Sequence, residues 1–244
     1  MSNISFLYLL KSTIGGFFTE GVRFKEVFRH IDEMGYKSLN IIVICVSFAA
    51  SVTILEASFH MKLVLHDDSL VPGFASMLIV RELAVVVMSL LLSAKIGAGI
   101  AAEVGQMKIS EQVDALKLLG INPFNYLVLP RLVACLIAGV TLSLVANAVC
   151  LLAALGVTVV ELDQSVSFFM IAFRRFVLMQ DLVFSIIKGM AFCAVIPLVS
   201  CYYGLNCQPG AAGVGRATTK SVVSSSIAII VIDFILTYTF SLFY

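Results

Sequence analysis

The stretch that decides the fold is ASMLIVRELAVVVMSLLLSAKIGAGIAAEVG, residues 75–105, an apolar run interrupted by Arg81 and Glu82. About 20 apolar residues suffice to cross a hydrocarbon core about 30 Å thick, so this run predicts a membrane-spanning helix. Charged side chains inside such a helix are costly and usually face the protein interior or a wet cavity. An acid beside a base at this depth therefore predicts a functional site.

The composition places the chain among membrane proteins. Hydrophobic residues make up 60% of it and charged residues 13%, whereas ordinary soluble domains are roughly 25% charged. A chain of 244 residues with this bias predicts one polytopic domain over residues 1–244. A net charge of +1 without a long basic tract argues against nucleic-acid binding. The six cysteines form no CxxC or Cys/His cluster, so we expect small buried hydrophobes rather than disulfides or metal ligands.

Five apolar runs are long enough to span a bilayer, which predicts an all-α integral membrane protein. They are Leu39–Leu65, Ala75–Gly105, Phe124–Val160, Leu182–Leu205 and Ser221–Phe243. Ten Lys and Arg residues lie near span ends on the side of the N-terminus, against three on the opposite side. Because positive residues accumulate in cytoplasmic loops, we expect a multi-pass protein with a cytoplasmic N-terminus and an external C-terminus, which in the inner membrane of a Gram-negative bacterium is periplasmic.

Residues 1–37 are expected to form a separate amphipathic element ahead of a five-span bundle over residues 38–244. Apolar side chains recur there at spacings of three, four or seven, with charged residues between them. This pattern predicts a helix lying in the membrane interface, the alternative being a soluble helix that covers a core. The apolar set is Phe6, Leu10, Ile14, Phe17, Phe24, Phe28 and Ile31.

Four ionisable residues on three predicted spans are expected at one depth. They are Glu56, Arg81, Glu82 and Lys188. At 1.5 Å per residue, Arg81, Glu82 and Lys188 fall about 10 Å below the outer ends of their spans, and Glu56 lies in the outer third of the first. Asp233 is expected nearer the middle of the membrane. Such groups either join helices as ion pairs or line a wet cavity for a polar or anionic headgroup, and the two roles are compatible.

A polar segment, MKISEQVDALKLLG (107–120), follows the second span and predicts an amphipathic helix on the cytoplasmic side. Ser110 is the expected N-cap, and Gly120 is expected to end the helix. At 100° per residue, the side opposite Val113 holds one leucine between two acids. These residues are Glu111, Asp114 and Leu118. An exposed leucine in this setting indicates a docking surface, and the alternative is a solvated loop helix.

Small residues recur every four positions along the lower half of the second span. They are Ser93, Gly97, Ala101 and Gly105. Such a face lets helix backbones approach closely in lipid. It predicts either packing within the chain or a contact between two copies.

The connection NCQPGAAGVGRATTK (206–220) is rich in glycine and small residues. It lacks the GK[ST] of a nucleotide-binding loop, so nucleotide binding is not expected. We interpret it as a flexible polar turn in which Arg216 contacts headgroups or a partner.

No pattern typical of an enzyme appears in the sequence. The three histidines are scattered, no serine has a base at a recognisable spacing, and no metal-ligand set is present. The chain is therefore expected to lack a catalytic site and a cofactor of its own.

Three stretches, residues 80–131 (VRELAVVV…NYLVLPR), 181–189 (DLVFSIIKG) and 213–237 (GVGRATTK…IDFILT), resemble signature regions of the MlaE/YrbE family of ABC-transporter permeases. The resemblance covers most of the chain from about residue 38 and preserves the order of the elements. The sequence departs from the family in two places. Ala84 and Val85 replace a Gly-Pro pair, which is expected to remove a kink, and Lys95 replaces an arginine, which loses planar bidentate pairing.

The resemblance implies a machine built around this chain. Family members work as homodimers with a cytoplasmic ABC ATPase dimer that binds ATP and Mg, and with a periplasmic MCE-domain protein, often a hexamer. The family's lipid pocket would include Arg81, Glu82 and Lys188. Its coupling helix, which enters a groove of the ATPase, would include Glu111, Gln112, Asp114 and Leu118.

The expected function is therefore that of a permease subunit which moves phospholipid or a related lipid between the inner membrane and the periplasmic MCE protein. The alternative is a membrane scaffold or sensor whose buried charges only join helices. An intramembrane lipid-modifying enzyme is a third class, but no residue pattern supports it.

Overall fold

The computed structural model describes residues 24–65 and 69–243, together with Phe6, Leu9, Leu10, Thr13 and Gly15. In these residues the chain is helical between short turns, without a strand. The helices are α1 (Phe24–Ile31), α2 (Lys37–Leu65), α3 (Val71–Leu78), α4 (Ala84–Leu92), α5 (Ala98–Ile109), α6 (Gln112–Leu118), α7 (Pro123–Glu161), α8 (Val166–Phe176), α9 (Met179–Leu205) and α10 (Ala211–Phe243). Three π-helical segments, Asp32–Tyr36, Ile79–Leu83 and Ser93–Gly97, join α1 to α2, α3 to α4 and α4 to α5.

Five helical stretches of the described chain are long and apolar enough to cross a membrane, which confirms the predicted number of spans. They are Phe24–Leu63, Val71–Ile109, Pro123–Glu161, Met179–Leu205 and Ala211–Leu242. The fifth begins ten residues before the predicted Ser221, so the expected flexible turn over 206–220 is largely wrong. Gly210 adopts a φ of +91°, which glycine tolerates, and this residue lets the helix start immediately afterwards.

Successive spans run in opposite directions, and this arrangement defines two ends of the bundle. The α6 end contains α1, α6 and the turn between α9 and α10. The α8 end contains α8 and the connection between α2 and α3. Every site discussed below belongs to one of these two ends.

The predicted boundary at residue 37 is not a break in the helix. α1 continues through the π segment Asp32–Tyr36 into α2, so the part of the predicted amphipathic element from Phe24 onward is continuous with the first span. Phe24 and Phe28 are exposed, whereas Val27 and His30 are buried against the bundle. Ile14 and Phe17 of the predicted amphipathic set lie outside the described residues.

Two glycines allow the third and fourth spans to touch along their backbones. A Cβ atom placed on Gly139 of α7 would lie 2.7 Å from the carbonyl oxygen of Gly189 in α9, and one placed on Gly189 would lie 2.8 Å from Ser143 Cβ. Small residues at helix crossings permit this close packing in lipid, where burying apolar surface gains little. The α7–α9 pair is therefore the central contact on which the other spans pack.

The row of small residues in the second span packs within the chain. Ser93 and Ala101 are fully buried. A Cβ on Gly97 would lie 3.2 Å from Ser200 Oγ, and one on Gly105 would lie 3.5 Å from Cys207 Cβ. Of the two predicted roles for this face, the structure supports packing against α9 and the turn that follows it.

Candidate functional site

A buried lysine lies at the centre of the candidate site. Lys188 of α9 has no exposed side-chain surface, and its Nζ lies 2.8 Å from each carboxylate oxygen of Glu82 and 2.6 Å from Asp233 Oδ1. Nζ also donates to the hydroxyl of Thr237 at 2.7 Å and to the carbonyl oxygen of Arg81 at 3.2 Å. Because a lysine carries three protons, these acceptors outnumber its donors. Lys188 thus joins the second, fourth and fifth spans at one point.

A second ion pair lies beside the lysine, nearer the α8 end. Arg81 Nε donates to Asp181 Oδ1 at 2.8 Å, and the side chain of Asp181 is fully buried. The other oxygen of Asp181 accepts the backbone N–H of Leu178 at 2.8 Å, which caps the start of α9. The same carboxylate therefore begins the helix that carries Lys188 and holds the guanidinium of the second span.

Two stacked phenylalanines separate the two cations. The rings of Phe184 in α9 and Phe240 in α10 are stacked with centroids 4.0 Å apart. Lys188 Nζ lies 5.0 Å from the Phe184 centroid, and the Arg81 guanidinium carbon lies 5.7 Å from the Phe240 centroid. The negative faces of aromatic rings attract cations, so the stack accommodates both cations in an otherwise apolar environment.

We call these five ionisable residues the charge cluster: Arg81, Glu82, Asp181, Lys188 and Asp233. Three carboxylates and two cations leave one negative charge in excess when all are ionised. Asp181 and Lys188 have no exposed side-chain surface, whereas Glu82 is 35% exposed and Arg81 and Asp233 are each 22% exposed. The exposed part of the cluster therefore belongs to Arg81, Glu82 and Asp233.

The backbone is irregular where it presents Arg81 and Glu82. Both residues belong to the π segment Ile79–Leu83, and Ala84 starts the next α-helix. Such π turns often occur at functional sites. The absence of a Gly-Pro pair after Leu83 was expected to remove an irregularity, but the second span retains one at this position.

Lys95, the other departure from the family pattern, lies in the π segment Ser93–Gly97. Its Nζ donates to the carbonyl oxygen of Lys37 at the start of α2. A single carbonyl acceptor suits an ammonium group, which does not need the planar fork of an arginine. The substitution therefore keeps a link between the first and second spans.

The structure tests which of the predicted site residues lie together, and their role in lipid binding stays a prediction. The structure brings Arg81, Glu82 and Lys188 together, as the depth estimate indicated. Placing Glu56 among them was wrong, because its carboxylate pairs with His60 one helical turn away at 3.6 Å, and the side chain is 67% exposed. Depth along a span says nothing about the direction in which a side chain points, and Glu56 faces away from the cluster.

Three cluster contacts were missed by sequence reasoning. Asp181 was treated as the boundary of the fourth span, Asp233 was expected nearer the middle of the membrane, and Thr237 was not considered. The helical repeat could have identified Asp233 and Thr237 as neighbours, since they are four residues apart and share one face of α10. Asp181 precedes Lys188 by seven residues, which also places both on one face.

Glu56 belongs instead to an apolar groove of about 660 Å³ between the first span and α3. Phe74 and Leu78 form one wall, and the other wall belongs to α2. The groove is at the α8 end and opens to the surface. It offers space for a hydrocarbon chain with one polar pair, Glu56 and His60, at its edge.

At the opposite end, α6 buries Val113 and exposes Leu118, and it starts at a different residue from the one predicted. Ser110 donates its hydroxyl to the carbonyl oxygen of Gln106 at 2.9 Å, so its expected role as N-cap is wrong. The N-cap is Glu111, whose φ of +59° turns the chain sharply. Gly120, with a φ of +74°, follows the helix end as predicted. The Ser110 hydroxyl instead donates to a backbone carbonyl oxygen in the last turn of α5, where carbonyl groups lack helical partners.

The exposed face of α6 carries Leu118 and the carboxylate of Asp114, which is paired with two lysines. Leu118 is 90% exposed, while Val113 on the opposite face is buried. Asp114 accepts hydrogen bonds from Lys117 at 2.7 Å and Lys108 at 3.1 Å, and these bonds hold the pKa of its carboxyl below the usual range. The available features of this face are therefore Leu118 and the exposed side chains of Glu111 and Gln112.

A buried arginine fixes the base of α7 to the second span at the α6 end. Arg131 is 3% exposed, donates to the carbonyl oxygen of Leu127 at 2.6 Å and pairs with Glu103 of α5 at 2.7 Å. Pro130 precedes it inside α7 and cannot donate a backbone hydrogen bond. The ends of the second and third spans that flank α6 are thus tied together.

Five helical stretches long and apolar enough to cross a membrane, three of them joined by a buried charge cluster, define the class of multi-pass membrane proteins. The sequence profile described as Permease MlaE matches residues 27–239. The chain is 30% identical to a probable ABC transporter permease of Rickettsia typhi over 86% of this chain and 81% of that protein. It is 31% identical to a probable ABC transporter permease of Pyropia yezoensis over 93% and 89% of the two chains. It is also 30% identical to the chloroplastic protein TRIGALACTOSYLDIACYLGLYCEROL 1 of Arabidopsis thaliana, over 90% of this chain and 62% of that protein.

The chain belongs to the MlaE family of ABC transporter permeases. Permease components of this kind are not themselves catalytic, and their membership of an ABC transporter implies a separate ATPase partner.

Proposed function

We propose that this permease moves phospholipid, or a related lipid, between the inner membrane and a periplasmic MCE-domain protein, towards or from the outer membrane. The observation that carries the proposal is the charge cluster, which is buried at Lys188 and reaches the surface at Arg81 and Glu82. Ionisable groups retained inside membrane spans usually mark a pathway for a polar group. The name of the Arabidopsis relative refers to a glycerolipid, which agrees with a lipid substrate.

Within the proposed pocket the residues have different roles. Arg81 and Glu82 are exposed enough to contact a headgroup, with the guanidinium placed for a phosphate. Lys188 acts as a positioning residue, because it is enclosed by Glu82, Asp233 and Thr237 and has no surface of its own. The excess negative charge of the cluster favours a headgroup that also carries a positive group. The apolar groove beside Phe74 and Leu78 provides room for an acyl chain.

The energy for transport comes, in this proposal, from the ATPase dimer that binds ATP and Mg. α6 is its docking element, since Leu118 projects almost fully from the surface and Glu111 and Gln112 lie exposed beside it. Motion of α6 passes directly to α5 and hence to the second span, which carries Arg81 and Glu82. The Arg131–Glu103 pair makes the third span follow.

The working unit is proposed to be a homodimer with the N-terminus in the cytoplasm and the C-terminus in the periplasm. The face of Ser93 and Gly97 is occupied by α9 and cannot serve as the dimer contact. The fifth span is the least covered of the five, with only 11% of its most apolar window buried. A large exposed apolar surface on one helix needs lipid or a second copy to cover it. The cluster lies against this span, so a dimer formed there would enclose the pocket.

A scaffold whose charges only join helices is the second candidate function, and the complete burial of Lys188 favours a scaffold role for this lysine.

The transport and scaffold functions are distinguished by a lipid-transfer assay with the permease and its ATPase in liposomes and a fluorescent phospholipid. The variant R81Q/D181N removes one ion pair without leaving an unpaired buried acid, and R174Q on exposed α8 is the control. We expect R81Q/D181N to lose most lipid transfer while it still hydrolyses ATP. Transfer at the wild-type rate would contradict the headgroup assignment and leave the scaffold role.

A further inference from the structure

A second polar cavity, at the α6 end, is not used by the function proposed above. It has a volume of about 480 Å³ and lies between the last turns of α9 and the first turns of α10. Its lining residues include Tyr202, Asn206, Gln208, Arg216 and Lys220. The cavity is separated from the charge cluster by most of the length of the two helices, since Arg216 precedes Asp233 by seventeen residues, or about 25 Å along α10.

The charges in this cavity are of one sign. Arg216 and Lys220 stand one turn apart on α10, and no Asp or Glu is among the described residues that line the cavity. No carboxylate pairs with either cation in the described part of the chain. The guanidinium of Arg216 donates to the amide oxygen of Gln208 at 2.8 Å, which positions it without neutralising it. Two uncompensated cations beside one cavity attract an anion.

The backbone around the cavity is built to close tightly. Gly213 lies against the preceding turn, so a Cβ atom there would lie 2.0 Å from the carbonyl oxygen of Gln208. Gly210 adopts a positive φ and accepts the N–H of Gly213 at 2.9 Å. These two glycines bring Gln208 over the first turn of α10, where the helix dipole adds to the positive potential.

The remaining side chains supply neutral donors and an aromatic wall. The hydroxyls of Tyr203 and Ser224 are hydrogen-bonded at 2.8 Å, and Tyr202 packs edge-to-face on Tyr203 with centroids 5.2 Å apart. Cys207 completes the lining. Burial raises the pKa of its thiol, and the positive charge of Arg216 acts in the opposite direction.

We propose that this cavity binds an anionic phosphate group, held by Arg216 and Lys220. The site lies where two apolar spans emerge at the membrane boundary, so the phosphate belongs either to the headgroup of an anionic phospholipid in the adjacent leaflet or to a soluble phosphate. Arg216 provides the planar donor pair that matches phosphate oxygens, and Lys220 adds a point charge. This site is independent of the transport proposal, since it shares no residue with the charge cluster or with α6.

The test uses the whole permease in nanodiscs, without ATPase or MCE protein. The double variant R216Q/K220Q removes both charges, and R174Q/R175Q on α8 removes two exposed arginines at the other end as the matched control. Circular dichroism and thermal unfolding establish that each variant folds. The charge-preserving swap R216K/K220R is a second variant that should keep binding.

Two measurements distinguish the sources of phosphate. The first is native mass spectrometry after exchange into phosphatidylcholine nanodiscs with a minor fraction of phosphatidylglycerol, which counts retained anionic lipid. The second is calorimetric titration with inorganic phosphate. Loss of at least one retained phosphatidylglycerol in R216Q/K220Q, but not in the control or the swap, supports a lipid headgroup. Loss of phosphate binding at least tenfold with unchanged lipid retention supports a soluble phosphate. Equal lipid retention and equal phosphate binding in all four proteins would overturn the proposal, and its failure would leave the lipid-transfer prediction untouched.

Discussion

Lys188 Nζ lies 2.8 Å from both carboxylate oxygens of Glu82, so an ammonium with no exposed surface is shared between the fourth and second spans. The same nitrogen lies 2.6 Å from Asp233 of the fifth. A lysine placed between two acids in this way is costly to remove, because breaking a buried pair leaves charge without compensation. Stability and the proposed transport therefore depend on the same atom.

Replacing this lysine is expected to destabilise the bundle. In K188M, Glu82 and Asp233 face each other without a cation, which should cost about 3 kcal/mol, less than a fully enclosed pair because both acids retain partial exposure. The free energy of unfolding in detergent measures the loss. The triple variant K188M/E82Q/D233N removes the charges together and should recover most of it, as expected for coupled residues. A triple variant no more stable than K188M would contradict the ion-pair explanation.

Introducing an acid on α6 should separate ATP hydrolysis from lipid movement. In L118D, an almost fully exposed apolar side chain becomes charged, so the fold is unaffected while an apolar docking contact is lost. We expect ATPase activity of the complex to persist with lipid transfer reduced at least tenfold, or the ATPase to dissociate. I171D on α8, another exposed apolar residue at the other end, is the control. Normal coupling in L118D would count against α6 as the docking element.

The close contact of the third and fourth spans predicts a sharp difference between two glycines of α7. G139A places a Cβ 2.7 Å from the carbonyl oxygen of Gly189 and forces the helices apart, which should cost about 1–3 kcal/mol. Gly156 has open space around its Cβ position, so G156A should be neutral or slightly stabilising. Thermal unfolding of the two variants under identical conditions compares them. Equal unfolding temperatures would mean that the spans are free to separate at this point.

The left-handed backbone at Glu111 allows a test that does not depend on its charge. A residue other than glycine at a φ of +59° stores about 1 kcal/mol of strain. E111G should therefore keep the turn into α6 and slightly raise stability, whereas E111V should lower it, since β-branched residues tolerate this region poorly.

A separate variant, E111Q, keeps the backbone strain and removes the negative charge of the side chain. Loss of ATPase binding in E111Q but not in E161Q, which changes an exposed glutamate at the α8 end, would assign a docking role to the Glu111 carboxylate.

The five spans could be predicted because hydrophobic length alone specifies them, and Arg81, Glu82 and Lys188 could be predicted because charge in lipid is rare. The errors have a common physical origin. Glu56 was assigned by depth, but its side chain is largely exposed and pairs with His60 on the same helix. The fifth span was predicted to start after Arg216 and Lys220, but α10 includes both residues. They lie in its first turns, where water and the cavity solvate their charged groups. The cap at Glu111 was not foreseen, because a positive φ in a non-glycine residue is decided by the surrounding packing.

The second span contains two turns in which the hydrogen-bond ladder is one residue wider than normal, Ile79–Leu83 and Ser93–Gly97. Each residue of a regular α-helix rotates the chain by about 100° about the helix axis. Converting one π segment to α geometry would therefore rotate the rest of the span by a fixed angle. Arg81 and Glu82 lie in the first of these segments, Ile79–Leu83. The second segment, Ser93–Gly97, lies between this pair and α6. A change in either π segment would therefore alter the rotation of the α6 end of the second span relative to Arg81 and Glu82.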